Sequence, residues 1–365
     1  MFTRKKDFKH KEKEKTDKFS AEAEAGDAKA QYKLAIGYRY KESDKYLYWL
    51  EKAAEQDYKE AVRALADEYN YGNEYVNPTI KADKHKAAVY LAKLADKGDI
   101  EAMKNCSLLY AVDFDDEDKA REWTKKAAEA GDVESMEEMG REYRFEPELA
   151  NFEKSEYWFK KAVDAGSVKS IRFLGDLYCF FEGREDYSKA ESLYNQAAGN
   201  GDVFSLVRLG DMCRDGKIFN KGEHVAFGYY KQAAEKGDEF GIIRVADCLI
   251  NGIGTRRDEK QAFEILSELQ KKSGLADYHL GLCYFNGTGT ERDYDRAFGL
   301  FKKCLKYDED ALNKLGECYY FGYGVDADRE KAREYWRKAV EYDSEEAAEN
   351  LKTYFNENTE LPENE

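Results

Sequence analysis

Hydrophobic positions along this chain follow a helical period, with a second, longer period superposed on it. The longer period is plainest at residues 311–347. There Ala311, Leu315, Gly316 and Tyr319 fall at roughly 0°, 40°, 140° and 80° around a helix, one buried face. Gly322 and Gly324 interrupt the pattern where the chain reverses, since glycine reaches positive φ without steric cost. A second helix opens near Asp328, carries Ala332, Tyr335, Trp336, Ala339 and Val340 at helical spacing, and closes at Asp343. The pattern predicts a hairpin of two antiparallel helices. Such a pair does not hide its apolar faces alone, so copies must stack on either side.

The copies are present. The small residue that opens each first helix recurs as Ala30, Ala61, Ala102, Ser135, Ser170, Ser205, Gly241, Ala276, Ala311 and Ala347, mostly 35 or 36 residues apart. Four and five residues after it stand Leu34-Ala35, Leu65-Ala66, Cys106-Ser107, Met139-Gly140, Leu174-Gly175, Leu209-Gly210, Val245-Ala246, Leu280-Gly281 and Leu315-Gly316. A large residue precedes a small one each time. The small one lets the two helices of a hairpin approach, and the large one fills the space between hairpins. Second helices repeat as Trp49 with Lys52-Ala53-Ala54, Trp123 with Lys126-Ala127-Ala128, and Trp158 with Lys161-Ala162-Val163. Many end in Gly-Asp, as at Gly98-Asp99, Gly131-Asp132, Gly201-Asp202 and Gly237-Asp238. Glycine suits a helix C-terminus and aspartate caps the helix that follows.

The series LG-x-x-Y, G-x-G, KA-x-x-W/Y-x-x-KAA-x-x-GD resembles the Sel-one-like repeat, a relative of the tetratricopeptide repeat, over roughly residues 20 to 355. The resemblance implies an all-α fold, a right-handed α/α superhelical solenoid of about nine helix-turn-helix repeats. It also implies adaptor roles in protein complexes, with first helices lining a concave groove; some bacterial members are virulence or toxin-neutralising proteins. Three units depart from the pattern. The first lacks its G-x-G, the second carries an insertion over Tyr71 to Lys81, and the third has Cys106-Ser107 for Leu-Gly.

Composition changes this picture little and charge adds to it. A hydrophobic fraction of 42% and a charged fraction of 37% suit a solenoid with a thin core. The formal net charge is −16, which argues against nucleic acid and against an anionic membrane surface. Residues 1–19 run the other way, with eight Lys/Arg against four acids. They are expected to form a basic flexible arm, and residues 356–365 an acidic disordered tail. No run of about 18 apolar residues and no apolar leader is visible, so a cytoplasmic protein without a membrane span is expected. Cys213, Cys248, Cys283 and Cys318 stand 35 residues apart. That spacing places them on stacked helices about 10 Å apart, beyond disulfide reach, so reduced core thiols are expected.

Candidate chemistry is sparse. The G-x-G pairs Gly252/Gly254, Gly287/Gly289 and Gly322/Gly324 lack a third glycine, follow no strand and recur with the repeat, so they read as turns. Asp113, Asp115, Asp116, Glu117 and Asp118 invite a calcium loop, yet position six is Asp118 and position twelve is Thr124. Acids there favour the next helix N-terminus instead. His10, His85, His224 and His279 have no metal-ligand spacing. No nucleophile motif occurs. A non-catalytic protein without cofactor, metal or small-molecule substrate is therefore expected.

Function then falls to exposed repeat positions. Offsets 2, 6 and 9 from the phase marker point roughly 180° to 240° around the first helix, away from its buried face. In units four to six these are Glu137, Arg141, Arg144, Arg172, Asp176, Asp211 and Arg214. In units seven to nine they are Ile243, Asp247, Ile250, Tyr278, Leu282, Phe285, Asn313, Glu317 and Tyr320. The second set is rich in apolar side chains, which either form a groove for a protein or peptide partner or pack on one another and on the C-terminal helix. The expected function is an interaction scaffold. The rival is an acidic toxin-neutralising or inhibitor protein, whose binding would weaken in salt.

Overall fold

The spacing of small and large residues becomes a series of helix hairpins in the computed structural model, which describes residues 19–40, 42–73, 79–146, 149–218, 220–304 and 309–357. Most of the basic arm, the acidic tail beyond Glu357 and part of the insertion lie outside the described residues. The helices group into two compact units, residues 1–166 and 167–365.

In the first unit, helical residues 19–24 precede α1 (Ala28–Tyr38), α2 (Ser43–Glu55), α3 (Lys59–Tyr71) and α4 (Lys84–Ala95). Helices α5 (Ile100–Val112), α6 (Glu117–Glu129), α7 (Val133–Phe145) and α8 (Phe152–Asp164) complete it. The second unit holds α9 (Val168–Phe180), α10 (Tyr187–Gly199), α11 (Phe204–Arg214), α12 (Glu223–Glu235), α13 (Glu239–Asn251) and α14 (Glu259–Gln270). It continues with α15 (Asp277–Asn286), α16 (Tyr294–Phe301), α17 (Glu309–Phe321), α18 (Arg329–Val340) and α19 (Glu345–Phe355). Odd-numbered helices up to α17 are the first helices of hairpins and even-numbered ones the second. Among the described residues the extended structure is a single antiparallel bridge, Asn73 to Ile80, at the stem of the insertion. The fold is an all-α repeat solenoid.

The Gly-Asp step does two jobs at each junction. Gly131 sits at φ 105°, a conformation that a Cβ disfavours, and ends α6. Asp132 then caps α7 by accepting from the Ser135 N–H at 2.8 Å. Asp27, Asp99 and Asp238 cap α1, α5 and α13 in the same way, each accepting from the phase-marker N–H. The acids of the third unit also serve α6: Asp116 accepts from the Lys119 N–H at 3.1 Å, and Asp118 pairs with Arg121 at 2.9 Å. The second glycine of each G-x-G has a packing role. Gly254 and Gly289 lie so close to the carbonyls of Glu223 and Glu259, on the preceding hairpin, that a Cβ would occupy the oxygen's place.

Within hairpins, the small position of the first helix is matched in size by one residue of the second. A Cβ on Gly140, Gly175, Gly210, Gly281 or Gly316 would overlap the ring of Phe159, Tyr194, Tyr230, Phe301 or Trp336 respectively. Where the small residue is Ala35, Ala66 or Ala246, the residue in the same register is Leu50, Leu91 or Leu266, each buried. Where it is Ser107, the partner is Thr124, and the two hydroxyls lie 2.7 Å apart. Glycine thus goes with an aromatic ring, alanine with leucine, and serine with threonine. The pairing keeps the interhelical gap filled at native density.

Candidate functional site

The candidate surface is built on the first helices, and its polar part is drawn inward. Asp176 on α9 is buried. Its Oδ1 accepts from the Tyr194 hydroxyl at 2.7 Å, and Arg208 on the next first helix and Arg172 lie 3.1 and 3.6 Å from the carboxylate. One repeat later Asp211 accepts from the Tyr230 hydroxyl at 2.8 Å and meets Arg244 at 3.3 Å and Arg214 at 3.6 Å. In the first unit, buried Glu68 plays the same part, accepting from Tyr46 and Arg39, both at 2.8 Å. Burial is the main cause that pushes the hydroxyls of Tyr46, Tyr194 and Tyr230 far above the ordinary phenol value. Tyr194 and Tyr230, which fill the space over Gly175 and Gly210, therefore each also anchor an acid. The acid in turn holds an arginine. This ties hairpins into a stack.

The stack changes at the seventh hairpin. Leu266 replaces the tyrosine, so Asp247 has no phenol; its neighbours are His279 Nε2 and Arg244, both at 3.8 Å. Burial raises the Asp247 carboxyl above the usual range, with His279, Arg244 and Arg214 opposing. His279 Nδ1 is buried with no hydrogen-bond partner among the described residues.

Four of the positions expected to point outward are corrected, because they are buried. Arg141 is exposed. By contrast Glu137, Asp176, Ile243 and Asn313 are buried, and Arg144, Arg172, Asp211, Arg214, Asp247, Ile250, Leu282 and Glu317 are half-buried. Asn313 is held inside by two bonds: its carbonyl accepts from Trp336 Nε1 at 3.1 Å and its side chain from Asn350 at 3.0 Å. Glu317 pairs with Lys314 at 2.7 Å. The physical reason is that a first helix is covered by its own partner and by the hairpin beside it, so the buried arc is wider than one hairpin requires.

The C-terminal aromatic positions also pack inward. Tyr278 lies 5.9 Å from the Phe301 ring. Phe285 makes edge contacts with Tyr294 and Tyr323 at 5.2 and 5.5 Å. Tyr320 stands 4.5 Å from Tyr354 and 5.9 Å from Phe355 of the C-terminal helix, and Arg329 donates to its hydroxyl at 2.6 Å. Of the two arrangements open at the sequence level, the structure holds the one in which these rings pack on one another.

A different row is exposed. In the first unit Ile36, Tyr40, Tyr71, Leu108, Val112 and Phe145 expose between 41% and 78% of their surface. They occupy offsets 6 and 10, at roughly 240° and 280°, on or just after α1, α3, α5 and α7. The same angular arithmetic that marks offsets 2, 6 and 9 as outward marks offset 10 as well. Arg144 flanks the row with its guanidinium 4.4 Å from the Phe145 ring centre. Phe180 and Phe321 hold the same register in the second unit and are also exposed.

The cysteines are free, and six of the seven are buried. Burial pushes the Cys106 and Cys318 thiols up to about 12, and those of Cys179, Cys248 and Cys283 to about 11. These are core thiols, held protonated. No group of three or more His, Cys, Asp or Glu side chains among the described residues is arranged to hold a metal ion. Among the same residues no helix is long and apolar enough to cross a membrane.

Comparison with known proteins agrees with this architecture. No curated protein matches the chain. Among solved structures, a Sel1 repeat protein from Oxalobacter formigenes is similar at 23% identity over 92% of this chain and 90% of that one, with a TM-score of 0.52. A protective antigen of uropathogenic Escherichia coli with an SLR fold is similar at 23% identity over 93% and 90%, with a TM-score of 0.35. An immunity protein from Pseudomonas aeruginosa is similar at 19% identity over 58% and 83%, with a TM-score of 0.29. At these identities the first supports the fold, and the other two carry no argument. The Sel1 repeat itself matches ten stretches: 28–45, 47–58, 59–99, 115–132, 133–167, 168–202, 203–238, 240–268, 274–303 and 309–341. Those stretches fall on the hairpins described above, and the chain belongs to the Sel1 repeat family.

Proposed function

We propose that this protein is a non-catalytic interaction scaffold that recognises a partner protein through the exposed row on α1, α3, α5 and α7. Sel1 repeats generally mediate protein–protein interaction; the surface is our assignment. One observation carries it. Six large apolar side chains are exposed at two register positions on successive first helices, while the remaining large apolar residues of those helices are buried or half-buried. An apolar row with arginines at its edge, Arg141 and Arg144, has the composition of an interface core with a charged rim.

The test is affinity capture at low and high salt with the parent and a Leu108→Ser, Val112→Ser, Phe145→Ser variant. The three side chains are exposed, so the variant keeps its helicity. The expected result is a partner that survives salt with the parent and is lost from the variant. A basic partner that is lost in salt yet indifferent to the variant would replace this reading with the acidic-inhibitor one.

A further inference from the structure

The exposed row is not uniform along its length, and its N-terminal end is a cavity. The ends of α1 and α3 border a solvent-open concavity of about 430 Å3 lined by Arg39, Tyr40, Asp67, Glu68, Tyr71, Gly72 and Asn73. Two of these, Tyr40 and Tyr71, are 69% and 78% exposed. Glu68 is fully engaged: Arg39 and Tyr46 donate to its Oε1, and Asn73 Nδ2 donates to its Oε2 at 2.7 Å. The Arg39 charge is therefore neutralised within the wall. Asp67 is in a different state. It is exposed, with no hydrogen-bond or ion-pair partner among the described residues; partial burial raises its carboxyl above the usual range, Arg63 opposes this, Glu68 adds to it and Arg39 opposes it. The lining thus carries one net negative charge, with the Asp67 carboxylate making no direct ion pair among the described residues, beside two tyrosine rings.

We propose that this cavity receives a basic side chain, arginine foremost, of the partner bound by the exposed row. A guanidinium is the chemistry that satisfies all three groups at once. It donates in a fork to a carboxylate and stacks on an aromatic face, and it carries the charge that Asp67 lacks. An anion would meet Asp67 and Glu68 against one already paired guanidinium. A neutral apolar group would leave Asp67 desolvated and unpaired. The partner's segment would then lay apolar side chains on Leu108, Val112 and Phe145 and an arginine between Tyr40 and Tyr71. The partner chemistry rests on the scaffold reading above, whereas the cavity's preference for a cation stands by itself.

The experiment separates the two. The full chain, with isotope-labelled tyrosine, is titrated with N-acetyl-arginine methylamide and with the citrulline analogue, which has the same shape and no charge. The expected result is saturable shifts in the Tyr40 and Tyr71 ring signals with the arginine compound alone. Asp67→Asn should weaken this binding about fivefold, the weight of one partly desolvated ion pair. Phe145→Ser should leave it unchanged. Equal shifts with citrulline, no saturable shift with either compound, or no effect of Asp67→Asn would overturn the proposal. Arginine binding together with intact partner capture by the Leu108, Val112 and Phe145 variant would keep the cavity and discard the scaffold surface.

Discussion

At the scale of single residues, the packing between the two helices of a hairpin turns on a matched pair. Gly140 and Phe159 make the clearest test, because that ring carries no hydroxyl. An added Cβ on Gly140 would come within 2.5 Å of the ring, so Gly140→Ala should cost about 1–3 kcal/mol through overpacking. Phe159→Leu alone leaves a void and should also destabilise. Together they recreate the alanine–leucine pair seen at Ala246 and Leu266. Urea unfolding should show a combined loss smaller than the sum of the single losses by about 1 kcal/mol or more. Additive losses would mean that the pairing is coincidental. Asp247 supplies a second residue-scale prediction. Its folded-state carboxyl is raised chiefly by burial, so the folded protein binds that proton more tightly than the unfolded chain. Stability from this group is present below the unfolded value of about 3.9 and is lost as pH rises through the folded value. The difference in urea midpoint between Asp247→Asn and the parent should therefore grow in the variant's favour as pH rises from about 4 towards neutrality. A difference independent of pH would show that His279 and Arg244 fully compensate the charge.

At the scale of the element, sequence periodicity was enough to place almost every hairpin, because small, large and cap residues repeat at one spacing. Ala311, Leu315, Gly316 and Tyr319 form the buried face of α17, as their angles require. Asp328 caps α18, and Gly322 and Gly324 take positive φ in the turn. Faces turned towards neighbouring hairpins were less legible. A helical wheel knows only its own axis, so it assigned Asp176, Ile243 and Asn313 to the outside, whereas all three are buried. The tyrosine–acid–arginine stacks were hidden for the same reason: Tyr230 and Arg244 meet Asp211 from two different hairpins. This bears on the aromatic positions of α15 and α17. Tyr278→Ala, Phe285→Ala and Tyr320→Ala remove rings that pack on Phe301, Tyr323 and Tyr354. Their combined effect should be a loss of about 2 kcal/mol or more of stability, seen as a lower urea midpoint. An unchanged midpoint would mean that these rings are free for a partner.

At the scale of the whole molecule, a formal net charge of −16 and an apolar exposed row make opposite demands on binding. Acidic surface favours fast, salt-sensitive encounter with basic partners. Desolvated aromatic and branched side chains give contacts that salt leaves intact or strengthens. On the proposed reading, the row on α1, α3, α5 and α7 supplies the second kind of contact, with Asp67 at one end for a basic group. The most direct test uses a photoreactive benzoylphenylalanine placed in turn at Val112, at Phe145 and at Tyr48. Tyr48 is also exposed but lies on the second helix α2. Adducts with one captured partner from Val112 and Phe145, and none from Tyr48, are the predicted result. Adducts from Tyr48 with none from Val112 or Phe145 would contradict the account, because the partner would then sit on the second helices.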